Sequence, residues 1–262
     1  MVEGKLGKPD LTFFRNLVRR QIRQDYLENL TGFAWLILQP LLLLAVYAFV
    51  FTVIFKSRIP DLEIGFVPYL AVAFWPWTAF SESILKSSGA ISGNAALIGK
   101  VALATEQLPL ATVTATFIMH MVGYVAVLIV LQLMGTDIHW LMIPALIPLF
   151  LLLWVLACAI SLFVSALQVF VKDTAQILPP LMTLWFFTTP ILYSTSQLSE
   201  RIAGIMAWNP MSWFVGKMRD IVLFGNLNPG REDFYMFLGV ALTAWLSLRF
   251  FRRFSHHFED FL

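Results

Sequence analysis

The sequence predicts an all-α integral membrane protein. It has six transmembrane helices, an N-terminal amphipathic interface helix, a short cytoplasmic helix between the second and third spans, and two short outer-face helices before the last span. Three observations predict this. Of 262 residues, 59% are hydrophobic and only 13% are charged, whereas a soluble chain carries about 25% charged residues. The 24 Phe and 9 Trp bring more apolar surface than one water-soluble core of this size can hide. The apolar residues also fall in uninterrupted runs, and a run of about 20 is what a helix needs to cross a bilayer.

The runs follow in order. Residues 33–55, Phe33 to Phe55, hold no charge. Residues 66–85 form a second span with one acid, Glu82, near its end and one turn before Lys86, a spacing at which the two charges pair at the headgroup level. The third, 108–134, carries no formal charge, only His120. The fourth, 140–170, is long enough to tilt. The fifth, 174–194, is broken by Pro179, Pro180 and Pro190. The sixth, 234–251, ends on Arg249, Phe250 and Phe251, where the arginine can snorkel to the surface.

Orientation follows from lysine and arginine. With the N-terminus in the cytoplasm, that side holds Lys5, Lys8, Arg15, Arg19, Arg20, Arg23, Lys86, Lys100, Lys172, Arg249, Arg252 and Arg253. The outer side holds Lys56, Arg58, Arg201, Lys217, Arg219 and Arg231, most of them in one long loop. Both termini are therefore expected in the cytoplasm. No cleavable signal peptide is expected, because the first apolar run starts too late and is too long.

Three connecting segments carry their own pattern. In residues 1–32, Asp10 can cap a helix on which Leu11, Phe14, Val18 and Ile22 share a face opposite Arg15, Arg19, Arg20 and Arg23. That is an interface-plane helix or a plain topology anchor. In 86–107 a mild stretch offers a short helix with Leu97 and Ile98 exposed, which suggests that something docks there. Gly93 to Lys100 only approximates a nucleotide-binding loop: five residues separate the glycines instead of about four, and Val101 stands where Ser or Thr would hold magnesium. In 195–230, Met211, Phe214, Val215, Met218, Ile221 and Val222 make one face of a helix, with Lys217 and Asp220 on the other. A shorter helix around Ile202 to Trp208 precedes it. The pair either caps a pore, with Met211, Phe214 and Met218 as an outer gate, or packs the bundle.

Several functions are excluded. A net charge of +2 gives no basic field for nucleic acid, and the single Cys158 excludes a disulfide or cysteine metal cluster. The sequence shows no paired carboxylates, no His-x-x-x-His and no Gly-x-Ser-x-Gly, so catalytic, metal and cofactor residues are expected to be none. His120 lines up with Thr112, Thr116 and Gly123 as a small and polar seam, the usual sign of helix packing, with a proton relay as the lesser reading. Ion-coupled transporters generally carry broken helices or charge at mid-depth. The spans lack charge there, which points to an ATPase partner as the energy source. On the fifth span Gln176, Thr183, Phe187, Pro190 and Ser194 lie within about 40° of one line. With Tyr193, and with Trp35, Gln39 and Tyr47 on the first span, they offer aromatic faces alternating with neutral polar groups, which suit sugar rings better than ions. Such residues also serve as interface anchors.

Four blocks of residues carry a family resemblance. The first is Arg23, Asp25, Tyr26, Gly32, Trp35, Gln39, Pro40, Leu41 and Tyr47. The second is Phe74-Trp75-Pro76-Trp77, then Ser88, Ile91, Asn94, Leu97-Ile98-Gly99-Lys100-Val101 and Leu108-Pro109. The third is Phe170-Val171-Lys172-Asp173, Trp185 and Thr189-Pro190-Ile191-Leu192-Tyr193. The fourth is Asn209-Pro210-Met211 with Arg219. In this order they resemble the membrane subunit of ABC-2 type exporters of the polysaccharide (O-antigen or polyol phosphate) group, with a departure at Leu103-Ala104 where relatives show an aromatic–proline pair. The resemblance implies a homodimer with the pore between its copies. It also implies a separate ABC ATP-binding subunit, in two copies, that holds ATP and Mg. Ile91, Asn94, Leu97, Ile98, Gly99 and Lys100 would form the coupling helix that receives this subunit. The cargo would be a lipid-linked polysaccharide carried to the outer face of the bacterial inner membrane. The alternatives are a teichoic-acid or polyol-phosphate exporter, a membrane-embedded transferase acting on lipid-linked sugars, and a structural scaffold subunit.

Overall fold

The computed structural model describes residues 10–27, 32–54, 64–98 and 104–262. Within them every regular element is helical. The elements are α1 (Leu11–Ile22), α2 (Gly32–Phe49), α3 (Phe66–Ser88), α4 (Ala95–Ile98), α5 (Gln107–Leu133), α6 (Leu146–Phe170), α7 (Thr174–Phe187), α8 (Glu200–Met206), α9 (Pro210–Phe224) and α10 (Arg231–Phe254). Among the described residues, three helical segments are long and apolar enough to cross a membrane: Gln107–Leu133, Trp140–Phe170 and Arg231–Asp260. Leu38–Ile54 is a shorter apolar helix.

The centre of the bundle is α3, which touches α2, α5, α6, α7 and α9. Protein rather than lipid surrounds it, and this explains its composition. Trp75, Trp77, Thr78, Ser83 and Glu82 lower its hydropathy, yet an unbroken run from Tyr69 to Trp77 is buried. The polar atoms find partners inside. Trp75 Nε1 donates to the His120 carbonyl at 2.9 Å, Thr78 to the Phe74 carbonyl at 2.9 Å and Ser83 to the Phe80 carbonyl at 2.8 Å. At the other extreme, α10 packs chiefly on α6 and leaves Phe234, Phe237, Leu242 and Trp245 exposed, as a peripheral helix in hydrocarbon would.

The predicted seam on α5 is a packing surface. A Cβ added at Gly123 would lie 2.4 Å from the Trp75 ring, so the glycine is what lets that indole against α5. Thr112 and Thr116 are buried on the same side.

The apolar side chains form two main clusters. The larger joins α3, α5, α6, α7 and α9. The second holds Leu17 and Val18 of α1, Ile91 and Ile98, Leu108 and Ala111 of α5, Leu162 and Val169 of α6, and Phe251 and Phe258. It therefore places the N-terminal helix, the 91–98 segment and the C-terminal tail at one end of the bundle. Phe170 touches Phe254, Phe258 and Phe261, which docks that tail.

Some elements differ from expectation. Asp10 caps α1 as predicted, accepting from the Thr12 N–H at 2.8 Å. The helix packs on α5 through Leu17 and Val18, however, while Leu11 stays exposed. The fifth run ends its helix at Phe187, short of Ser194. Thr188 and Thr189 turn their hydroxyls back onto the Trp185 carbonyl, and Pro190 disfavours helical geometry at the residue before it. The last helix starts earlier and ends later than 234–251, at Arg231 and Phe254.

Two glycines separate close packing from free space. Gly123→Ala should lower stability by about 1–3 kcal/mol, because the Trp75 ring has nowhere to go. Gly239→Ala, where an added Cβ meets nothing within 4 Å, should raise it by about 0.5–1 kcal/mol. Thermal unfolding of the detergent-solubilised chain reads both signs.

Candidate functional site

Helix α9 is held by a latch built from side chains that local spacing gave no reason to group. α9 begins with Asn209 as its N-cap and Pro210 in its first turn, where a missing N–H costs nothing. The Asn209 amide is fully used. Its Oδ1 accepts from the Met211 N–H at 3.0 Å and from Trp185 Nε1 at 2.9 Å, and its Nδ2 donates to the Thr188 carbonyl at 3.2 Å and Thr189 Oγ1 at 2.9 Å. One residue thus starts α9 and binds the end of α7.

Arg219 completes the latch almost three turns later. It is only 4% exposed. Its guanidinium donates to three backbone carbonyls: Nε to Tyr69 at 3.0 Å, one terminal nitrogen to Pro190 at 2.7 Å and the other to Ile191 at 2.8 Å. Its central carbon sits 3.4 Å from the centroid of the Tyr69 ring, a cation–π contact in a desolvated place. Burial pushes the group down to about 10, which leaves it charged at neutral pH. The Pro190 and Ile191 carbonyls lie in the turn after α7, where no helix supplies them with donors. The sequence reading counted Arg219 as an outer-loop charge. The missed signal is its position: eight residues after Met211 brings it round to about 80° from that residue, at the edge of the apolar stripe.

The predicted gate residues Met211, Phe214 and Met218 have no exposed surface and belong to the main core. They pack the bundle, the alternative the sequence left open, because α9 lays its apolar face on α3 and α6. The candidate lining residues divide. Trp35 and Gln39 on α2 and Gln176, Thr183 and Phe187 on α7 are exposed at the surface of the chain. Thr183 donates its hydroxyl to the Pro179 carbonyl one turn earlier, at 3.1 Å. Tyr47 is half-buried and stacks on Phe186 at 5.6 Å between ring centres, tying α2 to α7. Pro190 is buried, and its carbonyl accepts from Arg219. Tyr193 and Ser194 are half-buried; the Tyr193 hydroxyl lies 3.1 Å from both the Phe187 carbonyl and Met206 Sδ.

The 91–98 segment forms a 3₁₀ turn, Ser92–Asn94, and then α4. Its apolar residues point the other way from expectation. Ile91 and Ile98 are buried in the second cluster and Leu97 is half-buried, because α1, α5 and α6 cover them. The exposed residues are Ser92, Gly93 and Ala96. Asn94 donates to the Ala90 carbonyl at 2.8 Å and accepts from Arg20 at 2.7 Å. Gly99 and Lys100 lie outside the described residues. Among the described residues, no group of three metal-ligating side chains comes together.

Comparison with known proteins gives a family match and several relatives. A family model described as ABC-2 type transporter matches residues 12–223. An O-antigen export system permease protein, RfbA, of Myxococcus xanthus is 30% identical over 199 residues, 75% of this chain and 74% of the relative. A protein of the same name from Klebsiella pneumoniae is 24% identical over 249 residues, 94% of this chain and 93% of the relative. The polysialic acid transport protein KpsM of Escherichia coli is 25% identical over 240 residues, 90% of this chain and 91% of the relative.

The latch makes a direct prediction. A lysine cannot reach three carbonyls at once, so Arg219→Lys should destabilise the fold by about 2–4 kcal/mol. Arg201→Lys, on an exposed part of α8, should leave the unfolding midpoint of the solubilised chain where it was.

Proposed function

The chain belongs to the ABC-2 type transporter family, and on that premise we propose that it is the membrane-spanning subunit of an ATP-driven exporter. Its cargo in this reading is a lipid-linked polysaccharide of the O-antigen kind, moved from the cytoplasm to the outer face of the bacterial inner membrane. Relatives named for O-antigen export, aligned over three quarters of the chain or more, support the cargo class. The single observation that carries the mechanism is the exposed face of α2 and α7. Trp35, Gln39, Gln176, Thr183 and Phe187 stand out from the chain as aromatic rings and neutral polar groups, with no formal charge among them. A single copy leaves that face open, and two copies facing each other would enclose a path. Sugar C–H faces stack on such rings, and sugar hydroxyls pair with amides and hydroxyls.

In this reading α2, α3, α5, α6, α7 and α10 are the six spans. α3 and α7 cross in spite of their polar and proline residues, because α3 is wrapped by neighbours and α7 borders the path. Both termini lie in the cytoplasm, the side favoured by lysine and arginine. ATP and Mg belong to the separate ATP-binding subunit, which docks at 91–100 beside α1. The chain itself contributes no bond-breaking chemistry: it offers a shaped, uncharged path and the elements that move it. An acidic capsule-type polymer is the second reading, and the likeness to a polysialic acid transport protein favours it.

Two experiments test this. Depleting the protein should trap full-length lipid-linked glycan on the cytoplasmic side of the inner membrane; missing or shortened chains would instead assign the protein to synthesis. Gln39→Trp and Thr183→Trp should each cut export by about tenfold or more while the ATP-binding subunit still co-purifies. Normal export from both variants would remove the lining assignment.

A further inference from the structure

A second group of polar side chains lies where the N-terminal helix meets the bundle, and neither the lining nor the latch uses it. His120, in the middle of α5, has no exposed surface. Its Nε2 is 2.8 Å from Glu82 Oε2 on α3. The other oxygen of Glu82 is 2.7 Å from Lys86 Nζ, one turn on. Lys86 also lies 3.6 Å from Asp25 in the π-helical turn that follows α1, and Asp25 accepts from Gln21 at 2.9 Å. The Trp75 indole holds the backbone of His120. On the other side of α1, Arg20 donates to Asn94. A polar cavity of about 500 Å³, lined by Arg20, Gln24, Lys86, Gly89, Gly93 and Asn94, separates α1 from the 89–94 turn.

Besides the apolar packing of the second cluster, the 91–98 segment reaches α1 through the Arg20–Asn94 hydrogen bond, and the end of α1 reaches α3 and α5 through the chain Asp25, Lys86, Glu82 and His120. Glu82 and Lys86 are half-buried, and an ion pair still open to water contributes little stability. What it does supply is direction. A carboxylate bridging an imidazole and an ammonium accepts only one mutual placement of the three elements, and a one-turn slip would leave a charge bare. The cavity leaves space between α1 and the 89–94 turn beside the apolar contacts that join them.

We propose that Glu82 and His120 are positioning residues of the transport cycle. They tie α3 to α5 directly and, through Lys86 and Asp25, tie the end of the N-terminal helix to both, so that a displacement delivered at the 91–98 segment is passed into the bundle rather than absorbed at its edge. This rests on the transporter reading above.

The test uses the full chain assembled with its ATP-binding subunit. Glu82→Gln removes the charge, His120→Leu removes the donor, and His120→Gln restores a donor at the position of Nε2. Glu82→Gln and His120→Leu should leave ATP turnover of the purified complex unchanged while glycan exported per ATP falls about tenfold. His120→Gln should recover most of the export. Spin labels on Arg19→Cys and Leu133→Cys, both exposed positions, should give a narrow distance distribution in the otherwise unaltered complex and in His120→Gln, and a broad one in His120→Leu. Unchanged export in both disrupted variants would overturn the proposal. So would export and ATP turnover that fall together with the amount of folded complex, or a distribution that stays narrow in His120→Leu. Absence of export from the unaltered complex would overturn the transporter reading itself. The spin-label distances need no glycan and still decide the positioning.

Discussion

A guanidinium shut away from water must be solvated by the protein, and Arg219 imposes that demand on three elements at once. It takes the Tyr69 carbonyl near the start of α3 and the Pro190 and Ile191 carbonyls after α7, while itself sitting on α9. Losing any one contact would leave a buried charge or a buried acceptor short of a partner, at a cost of about 1–3 kcal/mol each. The turn after α7, the angle at which α9 lies on α3 and the start of the central helix are therefore fixed together. Asn209 adds the second tie between the same two helices. The residues of the third and fourth family blocks, far apart along the chain, turn out to be the two halves of this one device.

The central position of α3 follows from the same arrangement. A helix touched on every side need not be apolar toward lipid, so it can hold indoles, hydroxyls and a carboxylate whose partners are other helices. Hydropathy ranks helices by how they would fare in hydrocarbon, and it takes no account of which of them protein surrounds. α10, nearly naked on α6, reads as a span more easily than α3 does. The Trp75 indole, inserted against Gly123 and bonded to the His120 carbonyl, shows how the interior substitutes shape and hydrogen bonds for plain apolarity.

The two ends of the bundle are built differently. At the end that holds α9, the latch joins helices by charge-to-dipole contacts that leave little freedom. At the other end, an aliphatic and aromatic cluster gathers α1, the 91–98 segment and the C-terminal tail, and polar bridges with a cavity beside them complete the joint.

The sequence by itself determined what depends on neighbours a few residues apart. The membrane class, the amphipathic α1 capped by Asp10, the Glu82–Lys86 pair, the small seam on α5 and the apolar stripe of α9 are all legible, because helical spacing places those residues together whatever the rest of the chain does. The family blocks were legible too, as ordered residue types without a reason for their grouping. Tertiary structure alone decided which faces meet. It turned Ile91 and Ile98 inward, buried Met211, Phe214 and Met218, ended α7 at Phe187, and brought His120 to Glu82 and Arg219 to the Pro190 carbonyl. Those partners lie from about thirty residues away to more than a hundred. Periodicity says that a helix has a buried side and leaves open which helix will bury it.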